Sequence, residues 1–159
     1  MDKSELRKQF RNIRRSLSSI DQKQAAMELI KIFYRDVVIS PSMVIAGYYP
    51  VDSEVNVIPL LTDLENQGYA IALPCIQQKN MPLFFRSWSP SASMLVEHSV
   101  FPVLEPASTQ PLVSPDVILT PLVAYDRQGY RLGYGGGFYD RTFVGFEGKK
   151  IGVAYDKQY

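Results

Sequence analysis

The chain has 159 residues, of which 46% are hydrophobic and 21% charged, a composition that excludes a disordered or fibrous protein and is typical of one globular domain. Its formal net charge of +1 gives no overall field for gripping a nucleic acid, and its single cysteine, Cys75, excludes an internal disulfide. The N-terminus is polar and no apolar run is long enough to span a bilayer. We therefore expect a cytoplasmic protein without membrane or nucleic acid partners.

The first elements predicted along the chain are two helices. Apolar residues recur at helical spacing on one face of the first helix, at Leu6, Phe10, Ile13 and Leu17, while its other faces carry basic residues. Residues 18–21 offer side-chain oxygens that cap a second helix, which ends before Pro41. The sequence thus predicts an N-terminal helical hairpin.

Alternation between strand and helix begins after this hairpin. Residues 43–49 form a short apolar run typical of a buried strand, residues 57–67 have a helical period beginning at a capping Asn56, and residues 69–73 predict another strand. A strand, helix and strand in succession favour parallel pairing. The predicted fold class is α/β with a mostly parallel sheet flanked by helices.

The second half contains further strands and one irregular segment. Strands are predicted at 81–88, 116–125 and 150–155, with a short helix at 138–143. Residues 89–115 hold five of the eleven prolines and little periodicity, so we expect a surface excursion there.

A glycine-rich segment follows the predicted strand at 116–125. Five glycines occur within residues 129–137, and glycine permits positive φ and close approach of a ligand to backbone amides that bind phosphate oxygens. Arg131 and Arg141 flank these glycines and can neutralise phosphate charge, while Asp140 offers an oxygen ligand to Mg²⁺. A tight loop without a ligand is the alternative on spacing alone.

Two common phosphate motifs are excluded at this segment. A dinucleotide fingerprint beginning at Gly133 and Gly135 requires glycine where Phe138 stands. A P-loop requires Ser or Thr after its lysine, and Lys149 is followed by Lys150.

The segment does resemble a known family. The strings are Pro121-Leu-Val-Ala-Tyr-Asp126 and Arg131-Leu-Gly-Tyr-Gly-Gly-Gly-Phe-Tyr-Asp-Arg141, and they are similar to the motif of the 5-formyltetrahydrofolate cyclo-ligase family. Lys3-x-x-x-Arg7, Tyr49-Pro-x-x-x-Glu54 and Gly152-Val-Ala-Tyr-Asp-Lys-Gln158 follow the family's order, so the resemblance covers most of the chain.

The resemblance implies an enzyme that uses ATP and Mg²⁺ to convert 5-formyltetrahydrofolate to 5,10-methenyltetrahydrofolate. It also implies a three-layer α/β fold similar to those of sugar-phosphate isomerases and CoA transferases. Phosphoryl transfer to the formyl oxygen is catalysed mainly by positioning and charge neutralisation, which matches glycines, arginines and a metal ligand. We expect a monomer.

The resemblance also assigns roles to residues. It implies catalytic roles for Arg131 and Asp140, with Asp140 also the metal ligand. The expected ATP-binding residues are Lys3, Ser4, Glu5, Leu6, Arg7, Arg131, Leu132, Gly133, Tyr134, Gly135, Gly136, Gly137, Phe138 and Tyr139. The expected folate-binding residues are Tyr49, Glu54, Tyr134, Gly135, Gly136, Gly137 and Phe138.

Two features depart from the family pattern. Some members have a lysine where this chain has Gly136, and the family usually continues past the final motif to another strand and a further aspartate. We therefore expect a single cyclo-ligase domain over residues 1–159 that is truncated at its C-terminus.

Three other functions stay open at this level. A non-catalytic relative would bind folate or nucleotide without turnover, and a polyanion-binding protein would use the basic first helix. A sugar-phosphate isomerase on a similar fold would need no ATP.

Overall fold

A six-stranded sheet forms the centre of the protein. The computed structural model describes residues 1–98 and 101–159. The strands are β1 (Val44–Ala46), β2 (Ala70–Ile76), β3 (Leu83–Trp88), β4 (Met94–Val96), β5 (Leu104–Pro106), β6 (Leu112–Val113), β7 (Val117–Pro121), β8 (Ala124–Tyr125), β9 (Arg131–Leu132) and β10 (Lys149–Val153). The central sheet has the order β10-β7-β1-β2-β3-β6, and two small antiparallel pairs, β4-β5 and β8-β9, lie outside it.

Parallel pairing dominates the half of the sheet formed by β10, β7, β1 and β2. Ile45 of β1 is in register with Ile71 of β2 on one side and with Val117 of β7 on the other, and β10 continues the parallel set beyond β7. Strands β3 and β6 complete the sheet by antiparallel pairing. The predicted parallel unit of β1 and β2 and the mostly parallel sheet are confirmed.

In the described part of the chain, four α-helices and one short 3₁₀-helix surround the sheet. They are α1 (Lys3–Arg15), α2 (Ser19–Asp36), α3 (Ile58–Asn66), α4 (Phe138–Phe143) and the 3₁₀-helix Asp156–Gln158. Asp2 caps α1 by accepting hydrogen bonds from the amides of Ser4 and Glu5, and Ser18 caps α2 by accepting from Asp21. Helix α1 contacts β8 and the 3₁₀-helix, whereas α2 packs on α3.

The apolar side chains divide into two clusters on opposite faces of the sheet. One cluster joins Phe33 of α2 and Leu61 of α3 to strand residues such as Leu119. The other joins Ile118 and its neighbours to aromatic residues of and just after α4, including Phe143. A sheet covered on both faces gives the expected three layers.

The predicted strand at 116–125 is two strands. After Pro121 the chain leaves the sheet, and the Val123 amide donates to the carbonyl of Leu132 at 2.8 Å, so residues 124–125 pair with β9 instead. The Leu122 carbonyl accepts hydrogen bonds from the buried side chains of Arg14 and Gln158. Proline has no amide proton with which to continue the ladder beyond this point.

The surface excursion expected at 89–115 is wrong for part of that segment. Glu105 and Ala107 are buried, and β6 adds a strand to the edge of the central sheet. The Glu105 carboxylate accepts a 2.9 Å hydrogen bond from the Ile76 amide at the end of β2, which draws this segment onto the sheet. Sequence periodicity does not reveal contacts of this kind between distant segments.

No helix in the described part of the chain is both long and apolar enough to cross a bilayer.

Candidate functional site

A cleft of about 460 Å³ opens at the carboxyl ends of three parallel strands. Tyr48 follows β1, Ile76 ends β2 and Pro121 ends β7, and all three line the cleft. Ligands of open α/β sheets bind outside the carboxyl ends of the strands, and this volume is in the range of small-molecule sites. The position and size of the cleft therefore favour a ligand site.

Residues 133–140 of the glycine-rich segment form one wall of this cleft, which we call the glycine wall. Residues 133–140 all line it, including Gly136 and Phe138. Gly135 has φ +105° and Gly137, which immediately precedes α4, has φ +72°. A residue with a side chain is strained at such positive φ angles, so the backbone conformation accounts for glycine at both positions. Among the other expected loop residues, Leu132 lies in β9 and outside the cleft lining.

Helix α1 contributes one cation to the cleft. The Arg7 Nε donates a 2.8 Å hydrogen bond to the Gly133 carbonyl, and its guanidinium lies 3.5 Å from where a Cβ on Gly135 would stand. The other expected residues of this helix do not line the cleft: Lys3, Ser4, Glu5 and Leu6. The structure therefore brings Arg7 to the glycine wall and leaves its expected helical partners outside.

Arg131 and Asp140 form an ion pair at the cleft. The Arg131 Nη2 lies 2.6 Å from the Asp140 Oδ1, and the aspartate side chain is 79% exposed whereas the arginine side chain is 19% exposed. The Arg131 guanidinium also lies 5.7 Å from the centre of the Tyr139 ring. The two residues expected to act in catalysis are thus held together, with the carboxylate accessible to a ligand.

Glu54 and Tyr49, which follow β1, also line the cleft. Glu54 is buried, and its Oε2 accepts a 2.8 Å hydrogen bond from the Val51 amide. Burial raises the pKa of Glu54, while the Val51 amide, the Tyr134 hydroxyl and Arg14 act in the opposite direction. A buried carboxylate held by one amide keeps acceptor capacity for a ligand's N–H groups.

The remaining wall is apolar. Phe101, Val103 and Leu104 line it together with Ile76. The ring of Phe101 meets Phe138 edge-to-face, with centroids 5.2 Å apart. The sequence did not predict this wall, because Phe101, Val103 and Leu104 belong to the segment that was expected to be a surface excursion. The apolar run of residues 101–104 was the sequence feature from which the wall could have been predicted.

Arg14 was also missed as a residue of this region. It is 1% exposed, and its guanidinium reaches the Tyr134 hydroxyl of the glycine wall at 2.5 Å. The available sequence clue was its spacing from Arg7, since seven residues are two helical turns and place both arginines on one face.

Within the described residues, no group of three or more metal-ligating side chains is assembled. Asp140 supplies a single exposed carboxylate beside the glycine wall. Mg²⁺ commonly takes one or two carboxylates together with substrate phosphates and water, so the oxygen chemistry of Asp140 fits that ion in the presence of a nucleotide.

Comparisons with known proteins agree with this geometry. The family model described as the 5-formyltetrahydrofolate cyclo-ligase family matches residues 1–159. A Haemophilus influenzae protein named 5-formyltetrahydrofolate cyclo-ligase is 32% identical over 98% of this chain and 87% of its own length. The Escherichia coli K12 protein of that name is 34% identical over 72% of this chain and 66% of its own length.

Solved structures give the same result. The NMR structure of Aquifex aeolicus 5,10-methenyltetrahydrofolate synthetase is similar with a TM-score of 0.81 and 31% identity, covering 99% of this chain and 80% of that one. A 5,10-methenyltetrahydrofolate synthetase from Mycoplasma pneumoniae is similar with a TM-score of 0.74 and 25% identity, covering 99% and 88%. The resemblance inferred from the glycine-rich motif is confirmed. This chain belongs to the 5-formyltetrahydrofolate cyclo-ligase family.

Proposed function

We propose that this chain converts 5-formyltetrahydrofolate to 5,10-methenyltetrahydrofolate, using ATP and Mg²⁺ and releasing ADP and phosphate. Its family membership supports the reaction. The observation that carries the proposal is that one cleft brings together the glycine wall, Arg7 and the buried carboxylate of Glu54. Residues suited to binding phosphate and a residue suited to binding folate therefore line the same cleft.

The ATP phosphates bind along the glycine wall. Gly135 and Gly137 have positive φ and allow the backbone to approach phosphate oxygens, and Arg7 and Arg131 border the same space. Charge-assisted hydrogen bonds from guanidinium groups to phosphate are among the stronger polar contacts in proteins. Lys3 and residues 4–6 remain predicted contacts of the nucleotide that lie outside the cleft lining.

The folate binds with its pterin end towards Glu54. A carboxylate accepts hydrogen bonds from the amino-pyrimidine edge of a pterin, and Tyr49 lines the cleft beside it. The apolar wall of Phe101 and Leu104 covers flat aromatic surface of the substrate. We assign contacts with both ligands to the loop residues 134–138, because all five line the cleft that the two ligands would share.

The reaction places the γ-phosphoryl group of ATP on the formyl oxygen. ADP leaves in this transfer, and the resulting iminium phosphate has an activated carbon. The second folate nitrogen attacks this carbon and loses its proton to solvent, and phosphate leaves with the former formyl oxygen. The protein holds the two substrates in line and neutralises developing charge, a role that we assign to Arg131, a partly buried cation that lines the cleft beside the glycine wall.

Asp140 is the proposed Mg²⁺ ligand. When bound, the ion neutralises phosphate charge and orients the transferring group. Asp140 is exposed on the cleft side of the glycine wall, and Arg131 holds its carboxylate in place. We also propose that the protein acts as a monomer in the cytoplasm and that residues 1–159 form one domain.

Absorbance of the methenyl product tests the proposed function directly. We expect product to accumulate from 5-formyltetrahydrofolate only when ATP and Mg²⁺ are both present, with one ADP released for each product molecule. Omission of ATP is the control that separates this activity from isomerase chemistry. Saturable folate binding with no product would instead identify a non-catalytic relative. Salt-sensitive binding to a polyanion in place of folate would indicate that the basic helix carries the function.

A further inference from the structure

Arg141 is a charged residue of the glycine-rich motif that does not reach the cleft. The sequence predicted that Arg131 and Arg141 can both neutralise phosphate charge, but only Arg131 lines the cleft. In the described part of the chain, no carboxylate lies within ion-pair distance of Arg141, and its buried Nη2 has no hydrogen-bond partner. The contacts that Arg141 does make therefore indicate a role different from that of Arg131.

The Arg141 side chain contacts the glycine wall at two adjacent residues. Its guanidinium lies 5.0 Å from the centre of the Phe138 ring, within the range of an attractive contact between a cation and an aromatic ring. Its Nη1 lies 2.6 Å from where a Cβ on Gly137 would stand, so the guanidinium packs close to the bare backbone there. Gly137 and Phe138 line the cleft, whereas Arg141 does not. The arginine thus supports this end of the wall from outside the cleft.

The same side chain is attached to the segment that leads into β3. The Arg141 Nε donates a 3.1 Å hydrogen bond to the Met81 carbonyl. The next residue reinforces this attachment, because the Thr142 hydroxyl donates to the Phe138 carbonyl at 2.6 Å and accepts from the Leu83 amide at 2.9 Å. The guanidinium that lies against the Phe138 ring is therefore itself fixed by the backbone.

The Phe138 ring connects these contacts to the apolar wall of the cleft. It meets Phe101 edge-to-face with centroids 5.2 Å apart, and a Cβ on Gly136 would lie 3.1 Å from the ring. Phe101, Arg141 and the backbone of Gly136 together restrict the orientations of this ring. Side chains of a binding site keep a productive geometry when neighbouring groups fix their rotamers.

We propose that Arg141 is a positioning residue for the folate substrate, holding the Phe138 ring in the orientation in which it extends the apolar wall. This inference rests on the proposed function, which assigns the apolar wall to the aromatic surface of the folate. Arg141 does not itself line the cleft, so its effect reaches the substrate through Phe138. Its charge is used on the ring and not on the ATP phosphates.

A double-mutant cycle on steady-state kinetics tests this role. The variants are Arg141→Met, which keeps an unbranched chain without the guanidinium, Phe138→Leu, which keeps an apolar side chain without the ring, and the double variant. We expect each single variant to raise the KM for 5-formyltetrahydrofolate about two- to tenfold, the effect of losing one contact with an aromatic ring. The double variant should match Phe138→Leu, because Arg141 acts only through the ring that this variant lacks.

The KM for ATP distinguishes positioning of the ring from a contact with phosphate. The hydrogen bond from the Arg141 amide to the Gly137 carbonyl does not depend on the side chain, so the KM for ATP should change by less than about twofold in Arg141→Met. Arg141→Lys should keep a raised KM for folate, because an ammonium group cannot lie flat on the ring while bonding the Met81 carbonyl. A residue that acts by charge on phosphate would show the reverse, with a raised KM for ATP that lysine restores.

Arg86→Met is the matched control. Like Arg141, Arg86 donates to backbone carbonyls, here those of Ser108 and Gln110. Its guanidinium lies 5.4 Å from the centre of the Phe84 ring, and neither of these two residues lines the cleft. We expect thermal unfolding to show a loss of stability in both arginine-to-methionine variants, with both KM values unchanged in Arg86→Met. If Arg141→Met fails to fold, Arg141→Lys takes its place in the cycle.

Three results would overturn the inference. An unchanged KM for folate in Arg141→Met would contradict it, and a raised KM for ATP in that variant would assign Arg141 to phosphate instead. Multiplicative effects of Arg141→Met and Phe138→Leu would mean that the arginine does not act through the ring. An equal rise in the KM for folate in Arg86→Met would reduce the effect to a general loss of stability. If the wild type forms no product, the proposed function and the inference that rests on it both fail, which is a different result from these three.

Discussion

The Arg7 Nε donates a 2.8 Å hydrogen bond to the Gly133 carbonyl, joining the first helix to the glycine wall across 126 positions of the sequence. The same guanidinium lies over Gly135, which has a positive φ. An element from the start of the chain therefore completes a site whose main wall comes from its end.

Arg7→Ala should raise the KM for ATP and leave the KM for 5-formyltetrahydrofolate largely unchanged. The change removes a cation from the cleft and a hydrogen bond to the loop, so we expect the KM for ATP to rise about ten- to a hundredfold. Steady-state kinetics with each substrate varied separately provide the measurement. Lys8→Ala removes an exposed cation of the same helix and should change neither KM. Equal losses for both substrates would contradict the assignment of Arg7 to the phosphate end.

Gly135→Ala should reduce both stability and binding. At φ +105° a Cβ costs about 1–2 kcal/mol in free energy of unfolding, and here it would also contact the Arg7 guanidinium. Gly68→Ala is the control, since Gly68 has φ +93° with open space around it and does not line the cleft. Urea unfolding should show similar destabilisation of both variants, whereas only Gly135→Ala should lose ATP affinity. Normal ATP binding by Gly135→Ala would contradict the role of this glycine wall.

Asp140→Asn should raise the Mg²⁺ concentration required for activity. The amide keeps the size of the side chain but is a weaker ligand and no longer neutralises Arg131, so we expect the half-saturating Mg²⁺ concentration to rise about tenfold or more. A Mg²⁺ titration of product formation measures this shift. Glu147→Gln, which neutralises another exposed carboxylate, should have no effect. A lower kcat with an unchanged Mg²⁺ requirement would assign Asp140 to positioning Arg131 instead.

Glu105→Gln should remove one source of pH-dependent stability. Burial raises the pKa of Glu105 above its ordinary value of 4.5, although the Ile76 amide opposes this shift. Because the folded protein then holds this proton more tightly than the unfolded chain, the contribution of Glu105 to the free energy of unfolding falls as pH rises above about 4.5.

A glutamine side chain can still accept the hydrogen bond from the Ile76 amide but carries no charge at any pH. The stability of Glu105→Gln relative to the wild type should therefore increase between pH 4 and pH 7, as measured by urea unfolding. Glu147→Gln, at an exposed position, serves as the control and should show a constant difference. If the stability of Glu105→Gln relative to the wild type decreased with pH instead, the inferred upward shift of the Glu105 pKa would be wrong.

The helices were the elements best predicted from local pattern. The apolar spacing of Leu6, Phe10 and Ile13 predicted α1, and residues 18–21 were expected to cap α2, which Ser18 does. The end of β7 was not predicted, because a continuous apolar run at 116–125 does not show that the Val123 amide pairs with Leu132. Boundaries of this kind depend on competing partners elsewhere in the chain.

The sequence by itself determined the family and the nature of the glycine wall, because a glycine at positive φ and the arginines beside it are encoded locally within residues 131–141. The tertiary structure alone decided which distant residues complete the site. It brought Arg7 and Arg14 to that wall, left Lys3 outside, and added the apolar wall around Phe101. The physical reason is that these contacts depend on how α1 and the segment after β4 pack against the sheet. That packing is determined by the total burial of apolar surface and not by any local sequence pattern.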